Sequence, residues 1–167
     1  MRKKPEKDEV FTISVGVLDS SFESMESKHN LSERLINFSA EVIKISGRFP
    51  KIAAATNIAG QVVRSASAPA LHYGEAQASE SPKDFIHKMK GALKELRETH
   101  NALRIAKKMS WLPEEDFAWI IDENNQLISI FFTSVRTAVK NVNDNSGKQN
   151  KKKNSGDNES EDPTGKA

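Results

Sequence analysis

Apolar positions recur through residues 31–140 in steps of three and four, the period of an α-helix that buries one face. The pattern is sharpest between residues 83 and 108, where Phe85, Met89, Ala92, Leu96, Thr99, Leu103 and Ala106 form a seam that demands a core. An earlier seam of the same kind runs Leu31, Leu35, Phe38, Val42 and Ile45. Its helix is predicted to open at Asn30, with Glu33 completing a box-like cap, and to stop at Gly47 before Pro50. A second helix is predicted from near Lys51 to about Ala78, presenting Ile52, Ala55, Ile58, Ala59, Val62, Val63 and Ala66. Pro69 inside it removes a backbone donor and crowds the preceding turn, so a kink is expected there.

The third helix carries the strongest local start signal, Ser81-Pro82-Lys83-Asp84: a capping serine, a proline at the tolerated first position and a carboxylate at the positive helix end. The fourth starts around Pro113-Glu114-Glu115-Asp116 and presents Phe117, Ile121, Asn124, Ile128, Phe131, Val135 and Ala138. Asn124, the polar member of that seam, reads as a register or oligomer device, as polar seam residues do in coiled coils.

Connections of a few residues place sequential helices antiparallel, so the fold class is all-α, an up-down-up-down four-helix bundle over 31–140. Its second and third helices would be roughly 40 Å long. Residues 1–30 are expected to be a poorly ordered extension. Phe11, Ile13, Val15 and Val17 alternate with Thr12, Ser14 and Gly16 as a strand would, but one short strand has no evident partner. Residues 141–167, dominated by Asn, Ser, Gly, Lys and acid, have almost nothing to bury and are expected to be a disordered charged tail.

Composition narrows the function classes. There are no cysteines among the 167 residues, which excludes disulfides, thiolate metal sites and cysteine nucleophiles and fits a cytoplasmic location. No window approaches the ~18–20 apolar residues of a membrane span, and no signal peptide is read at the basic start. The net charge of +2 is spread unevenly: fifteen Lys/Arg against twelve Asp/Glu in 31–140, and near balance in both flanks. Any polyanion binding must therefore rest on local clustering rather than on the overall field.

Such a cluster lies opposite the third helix's seam. Lys83, His87, Lys90, Lys94, Arg97, Asn101, Arg104 and Lys108 follow the same steps, with six cations in eight positions and no carboxylate among them. Outer helix faces are often lysine-rich for solubility alone, but an uninterrupted stripe also suits phosphates or an acidic partner. No aromatic residue lies within it, so backbone and shape contacts are expected rather than base stacking. The candidate polyanion-binding residues are Lys83, Lys90, Lys94, Arg97, Arg104 and Lys108.

Catalytic and metal chemistry find little support. A di-iron carboxylate bundle needs two Glu-x-x-His pairs and two further inward glutamates. The chain offers Asp84-x-x-His87, the reversed His72-x-x-Glu75 and Glu95-x-x-Glu98, and His87 belongs to the outer stripe. No serine, histidine and acid fall at a recognisable triad spacing. No catalytic residue, metal or cofactor is assigned, and an enzyme is not expected. The small residues around Pro69 permit close helix approach and leave Arg64 and Glu75 beside the apolar face, with Glu95 and Glu98 of the next helix as the expected partners of Arg64.

The block Arg64 to Glu75, the following Ala76-Gln77-Ala78-Ser79-Glu80-Ser81, Lys83 to Lys90 and Leu93 to Thr99 resemble the four-helix-bundle proteins called 23S ribosomal RNA intervening-sequence proteins. The resemblance covers about residues 31–140, including the Phe49-Pro50 turn. It implies an antiparallel bundle, commonly assembled as a ring of five subunits, with no common biochemical activity. Some genes of that family sit inside insertions in ribosomal RNA genes and many do not. A related branch serves as the accessory protein of diversity-generating retroelements, where a basic bundle contacts a reverse transcriptase and nucleic acid. Two positions depart from the family pattern: His72 stands where asparagine is expected, and Gly91 stands mid-helix where a larger apolar residue is usual. The departures would weaken a hydrogen bond near the kink and loosen packing; glycine there costs ~1 kcal/mol of helix propensity relative to alanine.

These features together lead to an expected function: a non-enzymatic homo-oligomer that binds RNA or another polyanion through the stripe. The alternative is a protein-interaction scaffold that docks an acidic partner and binds no nucleic acid.

Overall fold

The computed structural model describes residues 15–154, with side chains from 31 to 145. Four helices account for the described chain: α1 (Val15–Ser46), α2 (Ala53–Gln77), α3 (Pro82–Lys108) and α4 (Glu114–Asn154). Each packs on its sequence neighbours and α4 closes on α1, while the diagonal pairs α1/α3 and α2/α4 have no close backbone approach. This is a four-helix bundle with one central core. Contact pairs fix the relative directions of neighbours. Ser65 of α2 meets Thr99 of α3 while Glu75 meets Lys88, so those two helices run oppositely. Arg34 of α1 and Arg48, two residues past the end of α1, reach Glu123 and Asp116 of α4, which orders that pair the same way.

Local chemistry explains the ends. At α3 the Ser81 hydroxyl accepts the Asp84 backbone N–H at 3.2 Å, satisfying an orphan donor of the first turn, as its sequence predicts. The other end of α3 closes as a Schellman motif. Trp111 N–H donates to the Ala106 carbonyl and Ser110 N–H to that of Lys107, with Ser110 in the left-handed region at φ 52°. That turn brings Trp111 against Phe49, ring centroids 5.4 Å apart.

The seams of α1 and α3 are buried as their periods require. Leu35, Phe38 and Val42 are fully enclosed, as are Ala92, Leu96, Thr99, Leu103 and Ala106. The α4 seam is a correction. Ile120 and Leu127 are buried beside Phe117, Asn124 and Phe131, whereas Ile121 and Ile128 are only half-buried at its edge. Ile52, the residue before α2, is exposed rather than presented to the core, and Ala55, Val62 and Ala66 carry that helix's contact. Asn124 is fully enclosed, and neither its amide nitrogen nor its carbonyl oxygen has a hydrogen-bond partner among the described residues.

α1 begins at Val15, about four helical turns before the expected cap at Asn30, so Asn30 is an interior helical residue. Val15, Leu18, Phe22 and Met25 follow steps of three, four and three, a helical period that the alternation of Phe11 to Val17 obscures. Val15, Gly16 and Val17 are helical rather than strand, and Phe11 to Ser14 lie outside the described residues. α4 likewise continues past residue 140 to Asn154, through a segment read from its sequence as tail. Residues 1–14 and 155–167 lie outside the described residues.

α2 runs uninterrupted through the buried Pro69. The proline cannot donate to the Ser65 carbonyl. One residue on, the Ala66 carbonyl lies 2.7 Å from the Ser39 hydroxyl of α1, which also lies 2.7 Å from its own Leu35 carbonyl and donates its one proton between them. Ser65 itself turns to α3, where the buried Thr99 hydroxyl donates to it at 2.8 Å.

Candidate nucleic-acid interface

A single helix face holds the stripe. Lys83, Lys90, Lys94, Arg97, Arg104 and Lys108 are all exposed, as are His87 and Asn101 between them. At ~1.5 Å per residue the six cations extend over roughly 37 Å. None of them forms an ion pair among the described residues. Other cations of α3 are engaged: Lys88 meets Glu75 of α2 at 2.7 Å, and Lys107 meets Glu114 of α4 at 2.6 Å. Those contacts hold the Glu75 and Glu114 carboxyls below their usual range, each through the hydrogen bond from its lysine first and its charge second. Glu75 and Glu114 are therefore spent on lysines outside the stripe.

Between α3 and α4 the stripe deepens into a groove of about 470 Å³. Lys90, Lys94 and Arg97 line one side and Arg136 of α4 joins them, over a floor of Leu93, Val135 and Phe132. No carboxylate lines it. The reason is visible in the chain: α4 carries no acid from Asn124 to Asn143 and has Arg136 and Lys140 in that stretch. Glu95 stands seven residues beyond Lys88 and shares its flank toward α2, away from the groove. Four cations with no interleaved acid raise the local potential well above what the net charge suggests.

Arg136 and Phe132 are missing from the sequence-based candidates. The absence of acid along 124–143 was the available signal for the first, and for the second there was none, because one phenylalanine of the pair Phe131-Phe132 is core and the pattern does not say what the other faces. Phe132 is 48% exposed. No aromatic lies within the stripe itself, and α4 supplies one beside it.

The expected polar pairing of Arg64 is also corrected. Its guanidinium is exposed and donates to Gln61 of its own helix, not to Glu95 or Glu98. Glu95 and Glu98 remain half-buried on α3, and Glu75 pairs with Lys88. The small residues of α2 bring Ser65 and Thr99 together instead, so a neutral hydroxyl pair occupies the interior position. An arginine has the reach to leave such a crowded layer for water, and does so at lower desolvation cost.

His72 and Gly91, the two departures from the family pattern, lie against each other. A Cβ added at Gly91 would meet the His72 ring at 3.6 Å, ordinary contact distance, so the larger side chain of α2 covers the space that α3 leaves. The His72 Nδ1 lies 3.9 Å from Glu75, beyond hydrogen-bond reach, and is buried without a partner. Among the described residues no three His, Asp or Glu side chains gather as metal ligands. No helix among them is long and apolar enough to cross a membrane.

His100, half-buried on α3, has its pKa lowered by burial first and by the Arg104 charge second. A histidine depressed on folding leaves the unfolded chain binding more protons below the ordinary value. Stability is therefore complete near neutrality and is lost as pH falls below about 6.5. Melting temperatures measured from about pH 7 to about pH 5 should decline, and less steeply in His100→Gln. Equal slopes in both proteins would show that His100 does not carry the effect.

The comparisons agree with the architecture. A family model described as 23S rRNA-intervening sequence protein matches residues 27–132. No curated protein matches the chain. A crystal structure at 1.70 Å of a protein of unknown function from the S23 ribosomal protein family of Bacteroides thetaiotaomicron VPI-5482 is similar in fold. Its TM-score is 0.58 at 18% identity, and the match covers 65% of this chain and 97% of that one. The matched span contains the whole of α2 and α3 and ends at Phe132, so the six stripe residues lie inside it and Arg136 lies beyond it.

Proposed function

The chain belongs to the 23S rRNA-intervening sequence protein family, and from that premise we propose that it is a non-enzymatic, homo-oligomeric four-helix bundle that binds RNA through the basic face of α3. The supporting observation is the set of exposed, unpaired cations Lys83, Lys90, Lys94, Arg97, Arg104 and Lys108, joined across the groove by Arg136. Holding that many like charges along one face raises repulsion within the folded protein, and a polyanion relieves it by releasing its own counterions. A cytoplasmic location accords with an RNA ligand and with the absence of cysteine. Self-association is supported by large apolar side chains left at the surface, among them Ile36 and Ile43 of α1, Ile105 of α3 and Trp119 of α4.

The test is RNA affinity of the full chain across a salt series, beside the variant Lys90→Glu, Lys94→Glu, Arg97→Glu. Engagement of four phosphates of a single strand gives a log–log slope on the order of −3. The triple variant should bind at least about tenfold more weakly with a shallower slope. Unchanged binding in the variant would sink the proposal. The competing role, a scaffold for an acidic protein partner, predicts no RNA binding even at low salt. Native mass measurement of the same variant separates a further role: dissociation into monomers would make the stripe an assembly surface.

A further inference from the structure

We infer that the α3/α4 groove takes single-stranded RNA in preference to duplex, with a nucleobase stacked on Phe132 and the flanking phosphates on Lys90, Lys94, Arg97 and Arg136. The inference rests on the RNA-binding reading above and adds to it the strandedness of the ligand. Phe132 is 48% exposed, and among the described residues its ring pairs with no other aromatic, in contrast to Tyr73 with Phe131 and Phe49 with Trp111. It sits on the floor of a groove whose rim is cationic and whose lining includes no carboxylate. An exposed phenylalanine beside four cations matches a ligand that carries a flat ring next to an anion. A nucleotide offers both.

Strandedness follows from where the bases are. A duplex turns its phosphates outward but keeps its bases stacked on one another, so it can satisfy the rim and never the floor. A single strand presents a base face and its adjacent phosphates together, and stacking on an aromatic side chain tolerates any sequence because every base has a π-face. Lys90, Lys94 and Arg97 recur at about one helical turn, so successive cations line up along a strand laid parallel to α3.

The experiment measures affinities of the full chain for a labelled short adenosine-rich RNA, the same strand with abasic sites, and the corresponding duplex. The proteins are the unaltered chain, Phe132→Leu, Phe132→Tyr and the triple charge reversal, each checked for helical content and melting. Phe132→Leu should weaken binding of the natural strand at least about fivefold. It should leave the salt slope, the duplex and the abasic strand unaffected, and Phe132→Tyr should restore affinity. Equal affinity of Phe132→Leu and the unaltered chain for the natural strand, with binding still lost on charge reversal, overturns stacking while the RNA-binding reading stands. Equal affinity for natural and abasic strands does the same. Failure of the unaltered chain to bind any strand, or binding that survives charge reversal, overturns both.

Discussion

Replacing Phe131 with alanine is expected to destabilise the protein by about 3–5 kcal/mol, while the same change at the adjacent, half-exposed Phe132 should cost about 1 kcal/mol. Phe131 is fully enclosed, and its ring meets Tyr73 edge-on at a centroid distance of 5.9 Å. That contact spans the core from α2 to α4, two helices whose backbones do not approach each other. Truncation would remove the transfer free energy of the ring and leave a cavity that four packed helices cannot fully close. A domain of this size is stable by about 5–15 kcal/mol in total, so the loss would be a large share of it. Urea denaturation of both variants gives the answer through the shift in midpoint at constant slope. Similar midpoints for the two would mean that burial does not distinguish the residues of this pair.

The second large effect is expected at the α1/α4 seam. Arg34→Met should cost about 1–3 kcal/mol, because it leaves the Glu123 carboxylate without its partner. The Arg34 Nε and Nη2 donate to Oε1 and Oε2 of Glu123, each at 2.8 Å, a two-point fork that fixes both groups. The Glu123 side chain is 11% exposed and that of Arg34 31%, so water reaches the arginine but hardly the carboxylate. The unpaired acid would then carry most of the cost. Adding Glu123→Leu to Arg34→Met should recover part of the loss, since an apolar pair leaves no charge to desolvate. Arg48 and Asp116 make the same fork one end further along, at 2.9 and 2.7 Å, but in a more open setting of 54% and 22% exposure. Arg48→Met should therefore cost less than Arg34→Met. A larger loss at Arg48 than at Arg34 would show that burial does not rank these two pairs. Among the described residues α1 and α4 share the smallest interface of the four, and these two pairs are polar ties across it.

The two phenylalanines also show where sequence reading reaches its limit. Both obey a helical period within α4, because apolar residues at 120 and 121, 127 and 128, and 131 and 132 supply two overlapping stripes. Which stripe becomes core depends on how α4 is rotated against α1 and α3. Ile120, Leu127 and Phe131 were turned inward and Ile121, Ile128 and Phe132 toward the edge, a choice set by packing with partners distant in sequence.

α3 presented no such ambiguity. Its apolar and basic stripes occupy opposite faces with little overlap, so burial of one leaves the other in water whatever the neighbours are. The sequence alone therefore determined that there are four helices, though not where α1 starts or α4 ends, together with the seams of α1 and α3, the Ser81 cap and the exposure of all six candidate cations, because each depends on a pattern within a few residues. Tertiary structure alone decided that Arg136 and Phe132 complete the groove, that Arg34 meets Glu123 eighty-nine positions away, and that Arg64 turns to Gln61 while Ser65 meets Thr99. Helical periodicity specifies a face on one helix, but the azimuth at which two helices meet is settled by the shapes of both, and the groove and the cross-seam ion pairs exist only once that azimuth is set.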